Sequence, residues 1–117
     1  MGFDIYAIDE EGNEVAYLRA YMGAFRMCRE QGYDWFKLID AEECDGGVSG
    51  TGESKRISLR NLEKALEVLK EHDPKGKLSG EGRDEWSYRK PLLKGFMDKC
   101  VEYCLKNDKK SILIKFL

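Results

Sequence analysis

The residues from Asp45 to Arg56, DGGVSGTGESKR, hold four of the chain's twelve glycines, the hydroxyls of Ser49, Thr51 and Ser54, and the Lys55-Arg56 pair. Glycine opens the backbone to positive φ and removes the Cβ that would keep a ligand away. A loop so built, running into a helix, can aim several backbone N–H groups at an anion. The chemistry on offer is the holding of a small anion or nucleotide by Ser49, Gly50, Thr51, Gly52, Ser54, Lys55 and Arg56. It falls short of a nucleotide-phosphate loop. Gly47 and Gly52 have the right separation, but Glu53 stands where lysine is required, and its carboxylate repels phosphate. The same stretch reads equally as a mobile connector closed by a helix cap.

Other candidates for chemistry are weaker. Asp40, Glu42, Glu43 and Asp45 crowd carboxylates ahead of Gly46. In a calcium-loop register, however, the first position is Ala41 and the twelfth is Gly52, so both end ligands are missing. Cys100 and Cys104 have a spacing that could offer two thiolates to zinc, yet both fall inside an apolar helical stripe where cysteine packs as a small hydrophobe. His72, the only histidine, follows Lys70-Glu71 and reads as a helix C-terminal residue. No partner orients it as a catalytic base. Arg83, Trp86, Tyr88, Arg89 and Lys90 interleave rings with cations, a pattern that can stack bases while neutralising phosphates. The alternative tucks the rings against the core and leaves the charges in water. No catalytic set, metal site or cofactor motif emerges.

The elements that must position these residues are legible in part. Residues 3–8 and 14–20 are β-leaning runs joined by DEEGN, whose Gly12-Asn13 supplies a hairpin turn. From Tyr21 the apolar spacing becomes helical through Ala24, Phe25 and Cys28, with Gly32 as a stop. Asp34 is a natural N-cap for a second helix carrying Trp35, Leu38 and Ile39 inward, ending before Gly46-Gly47. Ser58 caps a third, whose apolar face is Leu59, Leu62, Ala65, Leu66 and Leu69; Asp73-Pro74 and Gly76 should end it. Residues 73–85 read as a long mobile connector. Pro91 fits the start of a last helix with the stripe Leu93, Phe96, Met97, Cys100, Val101 and Cys104. SILIKFL, 111–117, reads as a strand paired inside a sheet. The expectation is one α+β domain over 1–117: a small sheet from an N-terminal hairpin plus the C-terminal strand, three-stranded or slightly larger, with about four helices.

The opening MGFDIYAIDEEGNEVAYLRAYMGAFR resembles a set of small prokaryotic and phage-associated proteins of unknown function. They share a Met-Gly-x-Asp-Ile/Val-Tyr strand, an acidic glycine turn and a second strand like EVAYLR. The resemblance covers Met1 to Arg26 and extends to Ser49–Gly52 and the helix after Ser58. It implies a small cytoplasmic or phage-encoded domain, and it carries no activity, ligand or catalytic residue.

Composition narrows the function classes. Twenty basic against twenty-two acidic residues leave a net charge of −2, which weighs against a nucleic-acid-coating protein while leaving room for a local basic patch. No apolar run approaches the ~20 residues of a membrane span. Nor does the N-terminus have the basic and apolar regions of a signal peptide, so a cytoplasmic address and four reduced cysteines are expected. Cys44, among polar residues, should be the most reactive thiol. The reading that remains is a non-enzymatic binding or interaction module with a protein partner or a second copy. The alternatives are an anion- or nucleotide-binding protein, with or without enzymatic activity, acting through 47–56, and a nucleic-acid accessory protein acting through 83–90.

Overall fold

The computed structural model describes residues 2–21, 24–30, 32–46, 50–72 and 80–117. Alternation of side chains builds the first two strands. β1 (Gly2–Ile8) and β2 (Glu14–Tyr21) pair antiparallel from Gly2 opposite Tyr21 to Ala7 opposite Ala16, with a bulge between Ala7 and Ile8. The turn is closed by Asp9, whose carboxylate accepts the backbone N–H groups of Asn13 (2.8 Å) and Glu11 (3.0 Å). Those bonds favour the charged form and hold the Asp9 carboxyl below its ordinary value. Ile5, Ala7, Ala16 and Leu18 point to one face and are buried.

β4 (Ser111–Phe116) is the central strand that SILIKFL promised. It pairs antiparallel with β1 on one side and with β3 (Glu53–Ser58) on the other, giving the order β2-β1-β4-β3. Ile112, Ile114 and Phe116 extend the buried face, and Ile57 completes it. Four helices pack there: α1 (Ala24–Glu30), α2 (Trp35–Leu38), α3 (Leu59–Glu71) and α4 (Gly80–Lys106), with one turn of 3-10 helix over Glu42–Cys44. The chain is therefore an α+β domain with a four-stranded antiparallel sheet.

Caps and packing follow the sequence closely in the middle of the chain. The Asp34 side chain accepts the Lys37 N–H at 3.3 Å, and Ser58 accepts that of Asn61 at 3.1 Å. Leu62, Ala65, Leu66 and Leu69 of α3 are buried, as are Leu93, Phe96, Met97, Cys100 and Cys104 of α4. Between them lies an aromatic cluster. Phe25 stacks on Trp35 at 5.1 Å, Phe36 meets Phe116 at 5.6 Å, and Trp35 Nε1 donates to Met97 Sδ at 3.2 Å. The Tyr33 hydroxyl donates to the Ala65 carbonyl at 2.8 Å, satisfying the one polar atom its burial would strand. Each large apolar side chain fully buried here contributes about 1.5–3 kcal/mol.

The structure corrects four expectations about the secondary structure. Tyr21 ends β2 instead of opening a helix, because its strand pairs through to Gly2. Residues 53–58 form a strand where a loop was expected: ESKRIS has one large apolar residue, but an edge strand pairs on one side only and is well served by exposed charges. Pro91 lies inside α4, not at its start, since the helix already runs from Gly80. There the proline gives up one i→i−4 hydrogen bond, and the Lys90 ammonium donates to the His72 carbonyl at 2.8 Å, tying α4 to the end of α3. The expected connector 73–85 is accordingly helical from Gly80, and 73–79 lies outside the described residues, with the helix-ending Asp73-Pro74 and Gly76.

Candidate functional site

With the helices on one face, the alternate side chains of the sheet emerge on the other. Asp4, Tyr6 and Ile8 of β1, Tyr17 and Arg19 of β2, Ser54 and Arg56 of β3, and Leu113 and Lys115 of β4 are exposed or half-buried, so no described element covers this face. Register aligns one row across all four strands. Tyr17 lies opposite Tyr6, Tyr6 opposite Lys115, and Lys115 opposite Ser54, a span of about 14 Å at the usual strand spacing. In the adjoining row Glu14 lies opposite Ile8, Ile8 opposite Leu113 and Leu113 opposite Arg56.

The rings and charges in this surface are organised. Tyr6 and Tyr17 form a tilted pair with centroids 5.0 Å apart, and Tyr17 keeps 42% of its surface in water. Its hydroxyl donates to Asp4 Oδ1 at 2.5 Å, and the Arg19 guanidinium lies 3.6 Å from the same oxygen. The bond to Asp4 raises the Tyr17 phenol above its ordinary value, so Tyr17 remains a donor and a neutral ring. Arg56 and Lys115 are exposed and, among the described residues, make no hydrogen bond or ion pair. Three cations thus share the face with two carboxylates, Asp4 and the exposed Glu14 opposite Ile8, in a chain whose net charge is −2.

The seven residues of the glycine-rich candidate do not converge. Ser49 lies outside the described residues. Gly50 is packed so closely against the C-terminal strand that a Cβ on it would stand 2.3 Å from the Leu117 carbonyl carbon. The Gly52 N–H is spent on the Phe116 carbonyl at 2.8 Å, and the Thr51 hydroxyl accepts the Glu53 N–H at 3.3 Å. Lys55 turns to the helix side, where its ammonium meets Glu43 and the Asp40 carbonyl. That contact raises the Lys55 amine and lowers the Glu43 carboxyl from their ordinary values. Ser54 and Arg56 alternate away from Lys55 onto the open face.

Of the 83–90 candidate, the side chains of Arg83 and Trp86 lie outside the described residues. Tyr88 is exposed, with the Arg89 guanidinium 5.3 Å from its ring centroid, and Lys90 is committed to His72. Cys44 proves to be buried in the 3-10 turn, and its thiol is raised by burial and by Glu43 and Glu53, so the expectation of a reactive loop thiol is corrected. Cys28 and Cys100 are pushed up to about 12 by burial. Among the described residues no three His, Cys, Asp or Glu side chains are grouped to hold a metal ion, and no helix is long and apolar enough to cross a membrane.

Asp4, Tyr6, Tyr17, Arg19 and Lys115 escaped the sequence reading as site residues. Their signal was the period of two, D-x-Y-x-I in β1 and Y-x-R in β2, on the phase opposite the buried residues. Fold and surface together define the chain as an α+β domain with one open, ring-bearing, cationic sheet face. No protein-family model matches the chain, and neither a curated protein nor a solved structure does.

Proposed function

We propose that this domain is a non-enzymatic binding module that holds a polyanionic partner against the open face of its sheet. The observation that carries the reading is the segregation of charge: in an acidic protein, Arg19, Arg56 and Lys115 outnumber the carboxylates of this face, which are Glu14 at the end of β2 and Asp4, already engaged by Tyr17 and Arg19. A cationic surface on a rigid sheet raises the local concentration of an anionic partner and orients it. Backbone hydrogen bonding on both sides of β1 and β4 keeps the cations at fixed spacing, so little ordering cost falls on binding.

The test is an amide NMR titration with inorganic polyphosphate. Shifts should concentrate at Tyr6, Tyr17, Arg56 and Lys115, weaken with added salt, and vanish in the Arg56→Glu/Lys115→Glu double variant. Lys99→Glu, an exposed position on α4, should leave them intact. Equal shifts on the helical side, or undiminished affinity in the double variant, would refute the reading.

A further inference from the structure

We infer that the polyanion is single-stranded nucleic acid, with a base stacked on Tyr17 and backbone phosphates held by Arg19, Arg56 and Lys115; this rests on the open-face reading above. Cations alone would serve any polyanion. The rings are the discriminating feature. Tyr17 exposes a large aromatic surface on the edge strand β2, beside a second ring 5.0 Å away on the inner strand β1, and every base has a π-face able to stack on such a platform.

The Tyr17 ring is held in place before any ligand arrives. Its hydroxyl is bonded to Asp4, and Asp4 is in turn approached by Arg19. A ring fixed at both its Cβ and its hydroxyl loses little freedom when a base settles on it. The same latch draws Asp4 toward the Arg19 cation, which reduces the repulsion its carboxylate would exert on a phosphate. Along the register the order is ring, ring, ammonium, hydroxyl, from Tyr17 through Tyr6 and Lys115 to Ser54, with Arg56 in the neighbouring row. A strand lying across the sheet would stack a base at the β2 side, where Arg19 meets the adjoining phosphate, and pass its further phosphates over Lys115 of β4 and Arg56 of β3.

A duplex fits this surface poorly. Its bases are stacked inside and present only their edges, and reading them calls for a helix or ribbon projecting into the major groove. The open face is a sheet surface, and its tyrosines have nothing to stack on unless the bases are splayed out. Sheets of four strands that display aromatic rings recognise single strands in this way as a general mode.

The experiment compares a fifteen-residue oligothymidylate, its duplex with oligoadenylate, and inorganic polyphosphate of matched length, by fluorescence anisotropy competition and amide NMR. The expected order is single strand tighter than duplex and polyphosphate, with a slope of log affinity against log salt of about −2, from three phosphate contacts. Tyr17→Ala should weaken the single strand by roughly five- to a hundred-fold and leave polyphosphate unchanged, whereas Tyr17→Phe keeps the ring and most of the affinity. Should Tyr17→Ala fail to fold, Tyr17→Leu supplies the bulk without the π-face and should show the same selective loss. If the oligonucleotide and polyphosphate bind alike and Tyr17→Leu affects neither, the nucleic-acid inference falls and the polyanion reading stands. Preference for a polyglutamate peptide over the oligonucleotide would also overturn it. If no anion moves the open-face amides, both fall.

Discussion

Replacing Gly50 by alanine should destabilise this domain more than the same change at Gly52 or Gly95, and each of the three should move stability for a different reason. A Cβ on Gly50 would stand 2.3 Å from the Leu117 carbonyl carbon, 2.4 Å from its oxygen and 2.7 Å from the Phe116 oxygen. All three are backbone atoms at the end of the central strand β4, where no side chain can swing aside. The methyl would need about 0.7 Å more room merely to reach 3.0 Å from the nearest atom (3.0 less 2.3), and overpacking of this kind costs about 1–3 kcal/mol. For a domain of 117 residues that is a fall in Tm of roughly 3–15 °C. Gly52 has open space around its Cβ position but φ of +78°, so alanine there costs about 1 kcal/mol of backbone strain, and asparagine less. Gly95, inside α4 with nothing within 4 Å, should gain about 0.5–1 kcal/mol from alanine. The assay is urea and thermal unfolding of the three variants, with equal m-values required so that midpoints report stability. If Gly50→Ala is as stable as the parent, residues 50–52 are not held against Leu117. The glycine-rich stretch would then be the mobile connector its composition suggests, since alanine in a flexible loop stabilises slightly by restricting the unfolded chain.

Two further outcomes follow from the helices and the buried thiols. Pro91→Ala should stabilise the domain by about 1–3 kcal/mol, because it restores the hydrogen bond that proline denies the interior of α4; a neutral or destabilising result would mean that the helix begins at Pro91, where proline is favourable. Cys28 and Cys100, pushed by burial to about 12 from an ordinary 9.0, remain protonated when the unfolded chain has ionised its thiols. Their contribution is intact below pH 9 and is lost as pH rises toward 12, so urea midpoints should fall across that window, and Cys28→Ala/Cys100→Ala should flatten the fall.

Where local and tertiary preferences agree, the fold was legible. Ser58 and Asp34 are capping residues by chemistry and cap in fact, and the α3 and α4 stripes are buried along their predicted phase. Where a tertiary partner decides, it was not. ESKRIS becomes a strand because β4 offers an unpaired edge: Lys55 and Arg56 lie opposite Ile114 and Leu113, so one half of the pair supplies the apolar character that the other lacks. No window on residues 53–58 contains that information. Pro91 points the opposite way: its chemistry favours a helix start, yet α4 runs back through it to Gly80.

The candidate site was hidden by a similar averaging. Net charge is a sum over the chain, and a sum of −2 discouraged a nucleic-acid reading. A sheet sorts its residues by parity, however, and parity places Arg19, Arg56 and Lys115 on one face, spread from edge to edge, although they are far apart in sequence. The residues of the glycine-rich stretch are adjacent in sequence, yet the same parity divides them: Lys55 goes to Glu43 on the helix side, and Arg56 to the open face. Of that candidate, Ser54 and Arg56 are the side chains carried into the proposed surface. They arrive there as β-strand residues, brought beside Tyr6 and Lys115 by the central strand that Gly50 and Gly52 are shaped to receive.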